Sequence, residues 1–429
     1  MWHFVSTQCF LLCLAISALA RGEQSIKRTV PNGFVTTRGG EFELDGSPFA
    51  FVGANSFWLP LLTTTEDVET TLQQMHGAGV KVLRTWGFNA INASELDGAL
   101  QSNLTYYQAR IRSLDAIWNN SDWSLNDGPQ GLQRLDNVLK IAAKYDIRVI
   151  LAFTNNWVGY GGMELYIDHV TPGASFHDVF YTNPRMIASY QRYVTTIVNR
   201  YKDSSVIFAW EMMNEARCLG DLPASSACSP GSGTLGKWYQ EQSDFIRSLD
   251  PYHLITTGGE GQFYWKNPTN PTLASDYNFN GQAGEDFDFD LTLPNIDFAS
   301  YHMYPQTWYP QLDFPGSDFS VEGWGLFWID AHVAAAKKAG KPLILEEFGV
   351  TGLTNKTQIY PSWVEHALDT NHGIMPWQFG ALGLTENGGN RLLKYTDALI
   401  DGASPNDGYA IYKNQTSVWN IFTYLLSLL

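Results

Sequence analysis

Residues 208–218 read FAWEMMNEARC, and this stretch decides the fold. Its apolar residues suit a buried strand, yet Glu211 lies inside the run and Asn214-Glu215 follows it. Alternate residues of an extended chain share a face, so Glu211 and Glu215 belong to the same side. A buried strand that ends in a carboxylate is typical of a barrel of parallel strands, because the carboxyl ends of such strands form the mouth of the site.

Seven further apolar runs extend this pattern along the chain. Most are nearly continuous in apolar content, as strands buried on both faces are. In chain order, the eight predicted strands cover residues 49–55, 80–86, 148–155, 206–214, 254–258, 298–304, 343–349 and 374–379.

Amphipathic helical patterns separate these strands. The first has Thr65 as its predicted N-cap, the second covers residues 131–145, and the last is predicted over 416–426. The others are predicted over 185–201, 235–249, 325–339 and 361–370. The alternation predicts a (β/α)₈ TIM barrel with long loops at the C-terminal face of the strands. An open doubly wound sheet alternates in the same way, but the glycine-rich fingerprint typical of that fold is missing from the sequence.

The composition narrows the class of ligand. The net charge of −16 disfavours nucleic acid and anionic membranes as partners. Aromatic residues make up 14% of the chain, which suits stacking against a neutral ligand. The sequence has no H-E-x-x-H, no phosphate-loop spacing and no G-x-S-x-G, so we expect neither a metal nor another cofactor.

The N-terminus predicts export. An apolar run over residues 10–20 ends in Ala18-Leu19-Ala20, which predicts a signal peptide over residues 1–20. Residues 21–28 end in Lys27-Arg28 and read as a possible propeptide, leaving 29–429 as a single catalytic domain. Cleavage leaves two cysteines, Cys218 and Cys228, which should pair in an oxidising compartment. Acceptor sequons for N-glycosylation lie at Asn92, Asn103, Asn119, Asn355 and Asn414, and we expect a secreted monomer.

A second carboxylate is needed if Glu215 takes part in the hydrolysis of a glycosidic bond. The seventh predicted strand lies in PLILEEFGV and ends in Glu346-Glu347. Neighbouring strand residues point to opposite faces, so only one of these two faces the mouth directly. Strands four and seven lie opposite each other in an eight-stranded barrel, so their ends can flank one substrate.

The run WEMMNEAR, followed by HMY and LEEFG, resembles glycoside hydrolase family 5 among the retaining (β/α)₈ glycosidases. Further segments resemble the secreted fungal endo-β-1,4-mannanases of that family, and the resemblance covers most of the mature chain. These segments are FVGANSFW, LRTWGF, NNWVGYGG, TTGGEGQF and HMYPQTW.

The resemblance implies a role for each matching position. Glu215 corresponds to the acid/base and Glu347 to the nucleophile, with Glu346 behind it. Other positions would contact the nucleophile, the acid/base or the sugar: Arg84, Asn214, Arg217, His302, Tyr304 and Trp377. Trp157, Trp308 and Trp265 lie on predicted rim loops and could be sugar platforms or loop packing, whereas Glu211 is expected to be a structural partner of Arg84 or of a water.

The predicted function is endo-hydrolysis of β-1,4-mannosidic linkages in plant mannan by double displacement. An endo-β-1,4-glucanase or an exo-acting β-mannosidase of the same family is the alternative, and a non-catalytic carbohydrate-binding protein is a remote one. We expect burial and repulsion to raise the pKa of Glu215 and Arg84 to keep Glu347 ionised. The long segment 380–413 is expected to form one wall of an open cleft.

Overall fold

Strand and helix alternate eight times around a ring of parallel strands in the computed structural model, which describes residues 30–110, 123–268, 273, 275–385 and 402–425. Pro31–Leu429 form one compact unit. The predicted signal peptide, the residues 21–28 and the sequon at Asn119 lie outside the described residues.

The central sheet confirms the predicted barrel. Its strands are β1 (Phe51–Asn55), β2 (Val82–Trp86), β3 (Arg148–Ala152), β4 (Ile207–Glu211), β5 (Leu254–Thr256), β6 (Ala299–Met303), β7 (Leu343–Phe348) and β8 (Gly373–Pro376). They pair in the order β5-β4-β3-β2-β1-β8-β7-β6, and every pair is parallel. Between β5 and β6, the Asp297 N–H donates to the Ile255 carbonyl at 2.9 Å, and the hydroxyls of Thr256 and Ser300 lie 2.9 Å apart, which joins the two edges.

In the part of the chain that the structure describes, each barrel strand is followed by a helix that packs outside the barrel. These helices are α1 (Thr65–Gly77), α2 (Leu132–Lys144), α3 (Pro184–Tyr201), α4 (Thr234–Leu249), α5 (Phe287–Asp290), α6 (Val321–Ala339), α7 (Leu353–Thr370) and α8 (Thr416–Leu425). The predicted N-cap of α1 was one residue too late, because the Thr64 hydroxyl accepts from the Asp67 N–H. Among the described helices, none is both long and apolar enough to cross a bilayer.

Helix α7 corrects a prediction. It was expected to begin at Pro361, yet it starts at Leu353 and carries Pro361 inside. Proline removes one helical hydrogen bond, a local cost that packing can outweigh. Here Tyr360 and Trp363 are fully buried, and the Tyr360 hydroxyl accepts from the Val350 N–H.

The smaller elements lie in the loops. Short helices cover Leu96–Gln101, Met163–Val170, Val179–Thr182 and Pro305–Trp308, and 3₁₀ turns cover Leu59–Leu61 and Ser226–Cys228. Small sheets are formed by Val35–Arg38, Glu41–Leu44 and Ser47–Pro48, by Ala90–Ile91, Gln108–Arg110 and Trp123–Leu125, and by Phe379–Gly380 with Ile411–Tyr412.

The two ends of the barrel differ in chemistry. At the amino ends of the strands, Phe42 packs its ring against Phe208 and Phe298, with ring centroids 5.2 and 5.3 Å away. This apolar cluster closes that end. Polar and charged side chains gather instead at the carboxyl ends, which leaves that end as the place for a site.

Candidate active site

A cleft of about 1030 Å³ opens at the carboxyl ends of the strands. It brings together eight of the predicted site residues: Asn214, Glu215, Arg217, Tyr304, Glu347, Trp157, Trp308 and Trp377. Arg84 and His302 are buried and contact the two glutamates. These ten predicted residues therefore lie together in one site, and Trp265, also considered as a sugar platform, does not line it.

Glu347 is the penultimate residue of β7 and is held by two donors. Arg84 Nη1 donates to its Oε1, and the Tyr304 hydroxyl donates to its Oε2 at 2.7 Å. Only 4% of the Glu347 side chain is exposed. The carboxylate is thereby fixed with a cation beside it and an open side toward the cleft.

Glu215 lies four residues beyond the end of β4, where the chain has left the strand. Its φ of +52° is in the left-handed region, which is uncommon outside glycine and clusters at functional sites. Its N–H donates to the carbonyl of Gly258 at 2.8 Å. Gly258 must be a glycine here, since its φ is +74° and an added Cβ would lie 2.4 Å from the Met213 carbonyl oxygen.

Two ring nitrogens hold the Glu215 carboxylate. His302 Nδ1 lies 2.9 Å from its Oε1, and the Trp157 indole N–H donates to its Oε2 at 2.6 Å. Trp157 was predicted to be a sugar platform or to pack its loop, and this hydrogen bond to Glu215 was not anticipated.

The spacing of the two carboxylates fits one mechanism. One oxygen of Glu215 and one of Glu347 lie within 4.8 Å of each other, and His302 Nδ1 belongs to the same group. Retaining glycosidases hold their carboxyl groups about 5–5.5 Å apart, against roughly 6.5–9.5 Å in inverting ones. Such a trio could also hold a metal ion, but Arg84, Tyr304 and Trp157 already donate to the carboxylate oxygens, which suits proton transfer and nucleophilic attack.

Arg84 ties the floor of the site together. Its Nε and Nη2 bond both oxygens of Glu211 at 2.6 and 2.7 Å, which confirms Glu211 as a structural partner. Nη2 also donates to Asn214 Oδ1 at 2.7 Å. Glu346 lies behind, with its oxygens 3.8 Å from Arg84 Nε and 3.6 Å from His302 Nε2. One guanidinium therefore serves three buried carboxylates.

The protonation pattern corrects the sequence-based expectation. Burial alone would raise the pKa of Glu215, but His302, Arg217 and Trp157 stabilise its anion and lower that pKa to about 2. Burial raises the pKa of Glu347, against the opposing charges of His302 and Arg84. The pKa of His302 lies well above its usual value, since the surrounding carboxylates outweigh its burial.

The reason for the error is geometric. His302 was expected beside Glu215, but the Trp157 donor and the division of the Arg84 charge among three carboxylates were not. The proton that the expected mechanism assigns to Glu215 is therefore held by the His302–Glu215 pair.

The wall of the cleft beside Glu215 is formed by an ion pair that the sequence analysis missed. Arg217 Nε and Nη2 bond both oxygens of Glu260 at 2.5 and 2.6 Å. The guanidinium also lies over the Trp157 ring, 5.0 Å from its centroid. Glu260 lies four residues beyond β5, as Glu215 lies four residues beyond β4, and it belongs to the quoted TTGGEGQF segment, so the rule that located Glu215 could have found it.

Aromatic rings line the rest of the cleft. Trp377 stacks on Phe57 with centroids 5.4 Å apart and an interplanar angle of 8°, and its indole N–H donates to Asp407 at 2.7 Å. Trp308 lines the same cleft. Trp265 is instead partly buried and packs on Phe263 and Phe279 of a core cluster, which confirms its alternative role as loop packing.

The loop after Glu215 is covalently closed. Cys218 and Cys228 form the predicted disulfide, with Cα atoms 5.5 Å apart. Cys218 is fully buried and its N–H donates to the Ala283 carbonyl, so the tether anchors the loop three residues beyond Glu215.

Residues 32–422 match the model of the GH family 5 beta-mannosidase-like proteins. The chain is 34% identical over 413 residues to the probable mannan endo-1,4-beta-mannosidase C of Aspergillus terreus, covering 92% of this chain and 91% of that protein. It is 35% identical to mannan endo-1,4-beta-mannosidase A of Aspergillus aculeatus, covering 89% and 86%.

Among solved structures, the endo-1,4-beta-mannanase of Rhizomucor miehei superposes with a TM-score of 0.74 at 32% identity, covering 92% of this chain and all of that one. The match over nearly the whole barrel, together with relatives above 30% identity, shows the family. This chain belongs to glycoside hydrolase family 5.

Proposed function

We propose that this protein is a secreted endo-β-1,4-mannanase that cleaves mannan with retention of configuration. The observation that carries the proposal is the pair Glu215 and Glu347, within 4.8 Å of each other and each held by its own donors. The names of the relatives supply the substrate class, since those proteins are mannan endo-1,4-beta-mannosidases.

In the first step, the Glu347 carboxylate attacks the anomeric carbon and the bond to the leaving oxygen breaks. Glu215 delivers a proton to that oxygen, so the leaving sugar departs as an alcohol. In the second step, Glu215 accepts a proton from water, and the hydroxyl displaces Glu347 from the anomeric carbon. Two inversions give net retention.

The proton supply involves His302. In the resting site the anion of Glu215 is stabilised, and the pKa of His302 lies well above its usual value. His302 Nδ1 lies 2.9 Å from Glu215 Oε1, a hydrogen-bonding distance that allows the proton to pass between them. A substrate oxygen beside Glu215 competes for that proton during bond cleavage.

Endo action is supported by the walls of the cleft. The described end of the long segment, residues 402–413, contributes Tyr409 to the lining, and its hydroxyl lies 2.5 Å from that of Thr307. This segment forms a side wall beside Trp377, through Asp407. Residues 386–401 of the same segment lie outside the described residues. A cleft walled at its side accepts a polymer in mid-chain.

The experiment is a product profile on mannan, glucomannan, xylan and β-glucan, combined with viscosity and NMR of the first product. We expect mannan to thin quickly while reducing ends rise slowly, with the β-anomer released first. Mannose alone as the early product indicates the exo-acting alternative, and cleavage of β-glucan alone indicates the glucanase. No hydrolysis of any of them indicates the binding protein.

Export and glycosylation complete the proposal. The apolar run over residues 10–20, which ends in Ala18-Leu19-Ala20, supports export. Among the sequons, Asn103 and Asn414 are exposed. Expression in a eukaryotic host should release the protein into the culture medium, with an N-terminus that follows residue 20 or 28. Treatment with an N-glycan endoglycosidase should lower its mass.

A further inference from the structure

A second pocket of about 720 Å³ lies away from the catalytic cleft, between the start of α4 and the segment that ends in α5. The linings of the two pockets have no residue in common. Besides four glycines, this pocket is lined by Tyr264, Lys266, Glu285, Asp286, Phe289 and Asp290. None of these residues has a part in the mechanism above.

Asp290 is the unusual member of the lining. Only 2% of the residue is exposed, and neither carboxylate oxygen has a hydrogen-bond partner of normal geometry among the described residues. Leaving a buried polar group unpaired costs roughly 1–3 kcal/mol. This carboxyl therefore adds nothing to the stability of the fold, and its place in the lining makes it a candidate ligand-binding group.

Space is kept open beside Asp290. A Cβ added to Gly236 would lie 3.2 Å from Asp290 Oδ1 and 2.7 Å from the Phe289 ring. A side chain at position 236 would thus clash with the Phe289 ring and press on the carboxyl, so Gly236 keeps this side of Asp290 clear.

The chemistry of the lining favours hydroxyl groups over a cation. Burial raises the pKa of Asp290 well above its usual value and that of Glu285 to about 8, so both are neutral carboxyls in acid. A neutral carboxyl has one donor and further acceptor capacity, and one oxygen of Glu285 already accepts from the Gln262 N–H at 2.8 Å. A sugar hydroxyl can likewise both donate and accept a hydrogen bond. Among the described residues, the one trio whose ligand atoms converge closely enough for a metal is Glu215, His302 and Glu347, and Lys266 adds a positive charge to this pocket.

Two rings complete the fit. Phe289 is 45% exposed and Tyr264 is half-buried, and both belong to the lining. Aromatic rings pack against the apolar C–H face of a pyranose, and carboxyl groups form hydrogen bonds with its hydroxyls.

We propose that this pocket is a non-catalytic saccharide-binding site, in which Asp290 and Glu285 bond the hydroxyls of one sugar unit against Tyr264 and Phe289. It would hold a polysaccharide at a second point, away from the bond being cleaved. The choice of a manno-oligosaccharide as ligand rests on the proposed function.

The test is calorimetric titration of the full-length Glu347→Gln protein with mannohexaose, which it cannot hydrolyse. We expect two binding events, of which Asp290→Leu and Phe289→Ala each weaken only the second, by about tenfold, the equivalent of one lost hydrogen bond or stack. Phe176→Ala is the matched control, since Phe176 is similarly exposed (47%) and lies outside both pockets.

Asp290→Leu also separates binding from folding. If the carboxyl serves a ligand, removing an unpaired buried polar group should leave the Tm equal or higher while the second event weakens about tenfold. A lower Tm with both binding events intact would mean that Asp290 stabilises the fold, and it would overturn the proposal. A single binding event that Phe289→Ala does not weaken would overturn it as well. A parallel titration with cellohexaose distinguishes failure of this proposal from failure of the proposed function. Two binding events with cellohexaose but not with mannohexaose would support the saccharide site and contradict the assignment as a mannanase.

Discussion

Glu347 and Glu215 lie on opposite sides of one barrel and are held by different kinds of structure. Glu347 lies within β7 and receives a cation and a phenol, Arg84 and Tyr304. Glu215 lies beyond β4, in a left-handed conformation, and receives an imidazole and an indole, His302 and Trp157.

The difference matches the work that each must do. A nucleophile needs a fixed position and a neighbouring positive charge, which a strand and a buried arginine provide. An acid/base must give and regain a proton in each cycle, and the His302 imidazole, with Nδ1 2.9 Å from Glu215 Oε1, can hold that proton between the two steps. Barrel geometry therefore fixes one carboxylate, whereas loops and a histidine of β6 tune the other.

The most direct test of this difference between Glu347 and Glu215 is to remove each carboxylate in turn. Glu347→Ala should lower kcat/KM on every substrate by roughly 10⁵-fold or more, since no glycosyl-enzyme can form. Glu215→Ala should lose roughly 10²–10⁴-fold on mannan but far less with dinitrophenyl glycosides, whose leaving group needs no proton.

Added azide separates the two roles further. It should restore turnover of the dinitrophenyl substrate in Glu215→Ala, because azide attacks the glycosyl-enzyme without a general base. Equal losses on both substrates, with no rescue by azide, would place the acid/base elsewhere.

His302 is the next test. His302→Gln removes the imidazole, whose pKa lies well above its usual value. Glu215 itself must then take up the proton. A carboxyl releases its proton at lower pH than such an imidazolium. The basic limb of the pH profile of kcat/KM should therefore move to lower pH, with a loss at the optimum of roughly 10²-fold. An unmoved basic limb in folded protein would mean that His302 has no part in the proton supply.

Most of the architecture that this comparison uses could be predicted from the sequence. Each barrel strand overlaps a predicted one, and Glu215 and Glu347 were assigned by their position at strand ends and by resemblance. The predicted strands ran too far: β4 was extended to Asn214 but ends at Glu211, because the apolar residues Met212 and Met213 continue into the loop.

The tuning of the acid/base could not be predicted in this way. Trp157 comes from the loop after β3 and His302 from β6, so their convergence on Glu215 depends on the fold of distant segments. Likewise, the pairing of Arg217 with Glu260 needs the two loops that follow β4 and β5 to lie side by side. Local sequence patterns carry no information on such contacts.

Tyr304→Phe and Trp157→Phe are a matched pair of milder changes, because each removes a single hydrogen bond. Each removes one donor from one carboxylate and leaves a ring in place. Losing the Tyr304 donor should raise the pKa of Glu347 further, so the nucleophile becomes protonated at higher pH and the acidic limb moves to higher pH. Losing the Trp157 donor should raise the pKa of Glu215 from about 2 and leave the acidic limb where it is.

The expected loss of kcat/KM in each variant is about tenfold at the optimum, the value of one hydrogen bond to a charged group. Trp308→Phe, in the same cleft but without a hydrogen bond to either glutamate, is the control. An acidic limb that moves with Trp157→Phe rather than with Tyr304→Phe would reverse the assignment of the two carboxylates.

The smallest effect on rate is expected from the disulfide, which should matter for one carboxylate and not for the other. Cys218 lies three residues from Glu215, whereas Glu347 is fixed by β7. Cys218→Ser should lower stability by about 3 kcal/mol, the loop-closure value for this span, and lower turnover of mannan a few-fold. A dinitrophenyl 2-deoxy-2-fluoro-mannoside labels the nucleophile without needing an acid, so the rate of labelling of Glu347 should not change. Equal decreases in turnover and labelling would mean that the tether supports the whole cleft, and the distinction between a strand-held nucleophile and a loop-held acid/base would fail.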